Sequence, residues 1–179
     1  MVLSGKTLRN ELGKSIRIKP IREKNLGGVS YDITLADEFL KLKDGEITII
    51  DPLKIDIVGE QTTAHDFVLQ PNSFVLARSE EWLDLSEDTM CMVSGKSSLA
   101  RLGLQVHSAA ILHPGHSGYI VLEVKNNNSV PFKLVKGMKI AQLVFFKATD
   151  KVKSYSKSKS SSFKVQHGIE LPEKLGFSD

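Results

Sequence analysis

Short apolar segments, each ended by a turn-forming residue before a useful length of helix could form, limit this chain more than any other feature of its sequence. Val29, Tyr31, Ile33 and Leu35 alternate with Ser30, Asp32 and Thr34, the period of a strand with one face on a core. Further strand candidates are Ile47–Ile50, Phe67–Leu69, Phe74–Ala77, Met90–Val93, Tyr119–Lys125 and Lys139–Phe146. Asp51-Pro52, Pro71-Asn72, Pro114-Gly115, Asn126-Asn127-Asn128 and Lys136-Gly137 separate them. Only two short helices fit between. One is capped by Ser4, carries Leu8 and Leu12 and stops near Gly13; the other spans Ser97–Leu102 and ends at Gly103. The pattern predicts a mainly antiparallel β-sandwich or barrel without internal repeats.

The 179 residues, 41% of them apolar, suffice for one domain with its own core. We expect that domain over 1–150 and a flexible tail over 151–179, where SYSKSKSSSFK is too polar to bury itself. The net charge of +3 is local, because Lys147–Lys164 holds six Lys against one Asp. That argues against a nucleic-acid-binding body. The longest uncharged stretch, Leu102–Leu122, contains three His, a Pro and three Gly, so no membrane span is expected. A single cysteine, Cys91, rules out an intrachain disulfide, and the opening residues lack the apolar run of a secretory signal. A cytoplasmic protein is expected.

Two segments carry groups suited to chemistry. In Gly95–Leu104, GKSSLARLGL, Lys96, Ser97, Ser98 and Arg101 cluster at a helix start and suit a phosphate, although an ordinary helix cap explains the serines equally well. The Gly and Lys spacing is not that of a P-loop. In His107–Val124, Glu123 shares a strand face with Tyr119 and Val121, opposite Ile120, Leu122 and Val124. It reads either as a solvent-facing carboxylate or as a partly buried general base. The spacing of His107, His113 and His116 matches no zinc pattern.

GKSSLARLGL, then HSAAILHPGHSGYIVLEVKN, then PFKLVKGMKIAQLVFF resemble the dCTP deaminase family, which shares its fold with trimeric dUTPases. SYDITLADEF at Ser30–Phe39 is similar to that family's N-terminal strand motif, and Tyr155 with FKVQHG at Phe163–Gly168 is similar to its C-terminal lid. The resemblance implies a homotrimer of distorted antiparallel β-barrels, or jelly-rolls, of the dUTPase-like type, with nucleotide sites between subunits. It implies hydrolytic deamination of dCTP without zinc, and one Cys cannot complete the zinc-deaminase signature. By motif position Glu123 is the proton-transfer group. Ser97 and the Ala109 carbonyl hold the water, and Arg101 orients the site. Lys96 and Ser98 meet the triphosphate, whose Mg²⁺ rides on the phosphates, so no metal ligand is expected from protein side chains. Tyr155 and Gln166 close over the nucleotide. His107 and Ser108 fall where the family places its trimer centre and its response to dTTP as inhibitor.

Three departures follow from the same comparison. Lys96 stands where the family usually has Arg, His113 replaces the acid that contacts the deoxyribose, and His116 replaces the aromatic beside the sugar. The turn is also one residue shorter than in many purely deaminating members. Alternatives are therefore a dUTP diphosphatase, a bifunctional enzyme yielding dUMP, or a catalytically silent nucleotide-binding regulator.

Overall fold

The computed structural model describes residues 1–43, 49–51, 57–107, 109–157 and 165–172, without the side chain of His107. A seven-residue helix, α1 (Gly5–Glu11), seals one edge of the core with Leu8. Strands β1 (Ile16–Lys19), β2 (Tyr31–Leu42), β3 (Gly59–Thr63), β4 (Asp66–Leu69), β5 (Phe74–Leu85) and β6 (Thr89–Gly95) follow. After a single turn of helix, α2 (Ser97–Ala100), come β7 (Leu104–His107), β8 (Ile111–Leu112), β9 (Ser117–Asn126), β10 (Phe132–Val135) and β11 (Lys139–Lys147).

One antiparallel sheet runs β7-β9-β5-β2-β11-β6-β8, with β1 added to β5 and β3 to β2, while β4 and β10 form a separate pair. The sheet curls until Gly95, at the end of β6, lies against Val106 of β7. The result is the mainly β, half-closed barrel that the alternation predicted. Among the described residues no helix is long and apolar enough to cross a membrane.

The core follows the two-residue period. Tyr31, Ile33 and Leu35 of β2, Ile120, Leu122 and Val124 of β9, and Leu143 and Phe145 of β11 are buried on the inner face. Val29 is excluded from this set at 54% exposure, because the Gly27–Ser30 turn holds it outside β2. Thr34, on the face expected to meet solvent, is buried as well. Ile49 and Ile50 lie outside any strand and are exposed, while the rest of the Ile47–Ile50 candidate is outside the described residues.

β5 runs three times as long as its apolar start indicated, because its inward positions continue through Ser79 and Glu81, both fully buried. These residues repair a break. The β2–β5 ladder shifts between Leu35 and Phe39, and the β5–β9 ladder shifts between Arg78 and Trp82. Ile120 N–H, facing the break, donates to Ser79 Oγ at 3.0 Å, and Ser79 Oγ in turn donates to Glu81 O at 2.7 Å. Thr34 N–H donates to Glu81 Oε2 at 2.8 Å. Arg22 completes the repair, with Nη1 2.7 Å from Glu81 Oε1 and Nη2 2.8 Å from Glu80 Oε2.

The N-terminus pairs with the last residues of β11, beyond the stretch that pairs with β2. Met1 and Lys147 exchange backbone bonds, with Lys147 N–H on Met1 O at 2.9 Å and the terminal amine 3.2 Å from Lys147 O. Lys147 Nζ also reaches Asp88 at 3.0 Å and Glu11 at 3.3 Å. Hydrogen bonds from Ser86, Lys147 and Thr89 hold the Asp88 carboxyl at about 2, against the opposing effect of burial.

Glu81→Ala should cost about 3–5 kcal/mol of stability, because it strands a buried N–H and a partly buried guanidinium. A urea midpoint equal to the parent's would contradict this account. The folded pKa of Asp88 lies below its ordinary value of 3.8. Its contribution is therefore complete above that value and is lost as pH falls towards about 2. Asp88→Asn should flatten the stability curve between about pH 4 and pH 2, measured by thermal melting.

Candidate active site

Glu123 sits on β9 between two neighbours in register, Leu76 of β5 and His107 of β7. It shares the outer face of β9 with Tyr119 and Val121, all three half-buried, while Ile120, Leu122 and Val124 are buried behind them. Its Oε2 is shut off from solvent. Of the two sequence readings, the partly buried carboxylate is the one this position supports.

The Gly95–Leu104 segment leaves the end of β6 as one helical turn. Ser97, Ser98 and Arg101 are exposed on it, and Gly103 ends it with a positive φ of 75°. Lys96 is not free in the single chain, since its Nζ lies 2.6 Å from Asp32 Oδ1. Asp32 also receives Lys139 at 3.0 Å. Burial acts to raise the Asp32 pKa, but the hydrogen bonds from Lys96 and Lys139 outweigh it and keep the carboxyl below its usual value. Motif reading did not mark Asp32 as a partner of Lys96; the SYD run that contains it was the available signal. The Ala109 carbonyl faces a tight turn and accepts Ile111 N–H, next to Ala110 at φ 20°. Ser108 and the His107 side chain lie outside the described residues.

A second group gathers at the start of β9. The exposed His113 ring stacks on Tyr155 with centroids 5.4 Å apart and planes 19° from parallel. Tyr155 N–H donates to Pro114 O at 2.9 Å, and Ser154 packs directly on Gly115. His116 is only 8% exposed, and burial pushes its pKa down, so the ring is neutral at pH 7. Gln166 adds a parallel bridge to Gly118: its N–H donates to Ser117 O at 3.2 Å, and its O accepts Tyr119 N–H at 2.9 Å. His167 then lies 5.3 Å from the Trp82 ring, whose other neighbour, Tyr119, carries the Arg78 guanidinium 4.0 Å above it. Trp82 and Arg78 were not singled out in the sequence, because they fall where β5 loses its apolar pattern.

Thus one chain brings His113, His116, Tyr155 and Gln166 to one end of β9. Gln166 is bridged to Gly118, five residues before Glu123, which is roughly 17 Å along a strand. Among the described residues no three His, Cys, Asp or Glu side chains gather as a metal site. Cys91 is buried in the core, and burial pushes its thiol pKa up.

A family model described as dCTP deaminase-like matches residues 2–148. The chain belongs to that family. A Sulfurihydrogenibium protein named "dCTP deaminase, dUMP-forming" is 36% identical over 156 residues, covering 84% of this chain and 86% of its own. A Nanoarchaeum equitans protein of the same name is 33% identical over 193 residues, covering 97% of each. A Nautilia profundicola protein named "dCTP deaminase" is 34% identical over 177 residues, covering 93% of this chain and 94% of its own. In fold, the chain is similar to the 2'-deoxycytidine 5'-triphosphate deaminase of Agrobacterium tumefaciens, with TM-score 0.64 at 16% identity, over 80% of this chain. It spans 47% of that longer chain. A dUTPase from phage phi11 of S. aureus aligns over 82% of this chain with TM-score 0.51 at 14% identity. These two likenesses establish the dUTPase-like β-fold.

In this dCTP deaminase-like chain, the seat of the tail depends on a glycine. A Cβ at Gly118, where φ is 147°, would stand 2.6 Å from Gln166 N. Gly118→Ala should unseat residues 165–170 while leaving the sheet folded, seen as faster amide exchange at Tyr119 and Gln166. Unchanged protection at both amides would refute that dependence.

Proposed function

We propose that this protein hydrolytically deaminates dCTP, with Glu123 as the group that moves protons. Family membership supports the substrate. The single observation that carries the mechanism is the position of Glu123 on the outer face of β9, with one carboxylate oxygen out of solvent. Water gives up two protons, one as its oxygen attacks C4 and one from the C4 hydroxyl that forms; N3 of the ring gains the first, and the departing amine takes the second as the C4–N bond breaks. A carboxylate between water and ring relays each in turn, giving dUTP and ammonia. Ser97 and the Ala109 carbonyl would hold the water, and Arg101 would orient the carboxylate and the base. No zinc is needed in this scheme, and the sole cysteine is in the core rather than at the site.

Lys96 and Ser98 would meet the triphosphate. Lys96 must then leave Asp32 or share with it, and as an ammonium it offers a point charge rather than a two-pronged contact. Mg²⁺ would arrive on the phosphate oxygens and offset their charge. Because Ser97, Ser98 and Arg101 are exposed on α2 of their own chain, a site completed by a second copy in a homotrimer suits their placement. His113 and His116 would border the sugar, with Tyr155 and Gln166 above them. In the same scheme dTTP would inhibit through the His107–Ser108 segment.

A bifunctional reading, in which dUTP is cleaved further to dUMP and pyrophosphate, has its own support. The Sulfurihydrogenibium and Nanoarchaeum equitans relatives are both named as dUMP-forming. Against it stands His113, since an in-line water attacking phosphorus calls for a carboxylate at that position.

Glu123→Gln keeps the shape of the side chain and removes the base. Ammonia release from dCTP should fall by about 10²–10⁴-fold while dCTP still binds. Near-parental turnover would overturn the assignment. Assaying dUTP, dUMP and pyrophosphate in the parent reaction separates the two product readings.

A further inference from the structure

Lys139 owes its outward direction to a bulge. Leu143 and Ala141 are buried on the inner face, and strict alternation would place residue 139 on that face as well. The β2–β11 ladder shifts between Lys139 and Ala141, however, and the extra residue puts Ile140 in the core and leaves Lys139 exposed. Outside the core Lys139 meets Asp32 of β2, whose register neighbour on β11 is Gln142. The Asp32 carboxylate takes one ammonium on each oxygen, Lys96 on Oδ1 at 2.6 Å and Lys139 on Oδ2 at 3.0 Å. The two lysines are not held alike. Lys139 Nζ also donates to Lys24 O at 3.3 Å, whereas Asp32 is the only hydrogen-bond partner of Lys96 Nζ among the described residues. Lys139 is therefore the anchored cation and Lys96 the one free to turn, at the exit from β6 where α2 begins.

We propose that Lys139 is a positioning residue for the substrate's triphosphate: by staying on Asp32 it releases Lys96 to the phosphate chain. The inference rests on the assignment of Lys96 to the triphosphate and adds a residue that does not itself touch it. The Asp32 side chain is only 16% exposed, and withdrawing a sole cation from it would strand a largely desolvated charge. With Lys139 on the second oxygen, the carboxylate keeps one cation when Lys96 swings away, so the exchange costs far less. An ammonium carries three donors at the end of a flexible four-carbon stem. Lys96 thus passes from carboxylate to phosphate by rotation about its own side-chain bonds, without movement of β6 or α2. The bulge in β11 is what makes this exchange available, because without it residue 139 would face the core and Asp32 would depend on Lys96 alone.

The experiment is a double-mutant cycle on the full chain, reading dCTP affinity by calorimetry and ammonia release by steady-state kinetics. Lys139→Gln should weaken dCTP binding by about fivefold or more and raise KM, while kcat at saturation stays within about twofold of the parent. Lys139→Arg keeps a cation on Asp32 and should bind dCTP as the parent does. Asp32→Asn frees Lys96 outright and should bind dCTP at least as tightly as the parent. Adding Lys139→Gln to Asp32→Asn should then change the affinity by less than about twofold, because no carboxylate is left for Lys139 to hold. A direct contact of Lys139 with phosphate, or its long-range field, would cost the same factor in both backgrounds. That equal loss, parental binding by Lys139→Gln, or weakened binding by Asp32→Asn would overturn the proposal. Lys96→Gln separates this failure from failure of the reading beneath it: weakened dCTP binding there keeps Lys96 on the triphosphate, and parental binding overturns reading and proposal together.

Discussion

The curl of the sheet depends on how the chain repairs its own break at Ser79–Glu81. Two ladders lose register on either side of the same stretch of β5, leaving the N–H groups of Thr34 and Ile120 facing side chains instead of backbone carbonyls. Buried donors must be paired, and here one carboxylate and one hydroxyl take over the work of missing ladder bonds. A fully buried Glu81 would be costly alone, and burial does raise its pKa. Arg22 supplies the opposite charge, and with it the position of the whole β1–β2 loop. That one ion pair thus ties the repair of the strand break to the placement of the β1–β2 loop.

The sequence made the fold legible wherever burial and alternation coincide. β9 is the clearest case, because Ile120, Leu122 and Val124 against Tyr119, Val121 and Glu123 could be assigned to inner and outer faces directly. β5 was cut short for the opposite reason. Its inward residues beyond Ala77 are a serine and a glutamate, and their burial is intelligible only once Thr34, Ile120 and Arg22 are known to meet them. β3, reading Gly-Glu-Gln-Thr-Thr, has no apolar signal at all, since it is a mostly exposed strand held by pairing with β2.

The site shows the same division. Motif spacing located Glu123, the α2 segment and the Pro-Gly turn, because these are local in sequence. What spacing could not give is long-range: that Asp32 holds Lys96 from 64 residues away, or that Gln166 comes back to Gly118 rather than to Glu123. Both contacts are set by strand order. The first joins the end of β6 to β2 across β11, and the second uses two glycines, Gly115 and Gly118, as flat ground for the returning chain.

The backbone exchange between Met1 and Lys147 has a topological meaning. The path of the β-domain begins and finishes on neighbouring rungs of one ladder, so its trace through space is nearly a closed ring. For packing, the position of the cut in that ring is close to arbitrary. Circular permutation of residues 1–147, with a short joint across this rung and new ends at the exposed Asn127–Ser129 turn, would keep all eleven strands in their neighbourhoods.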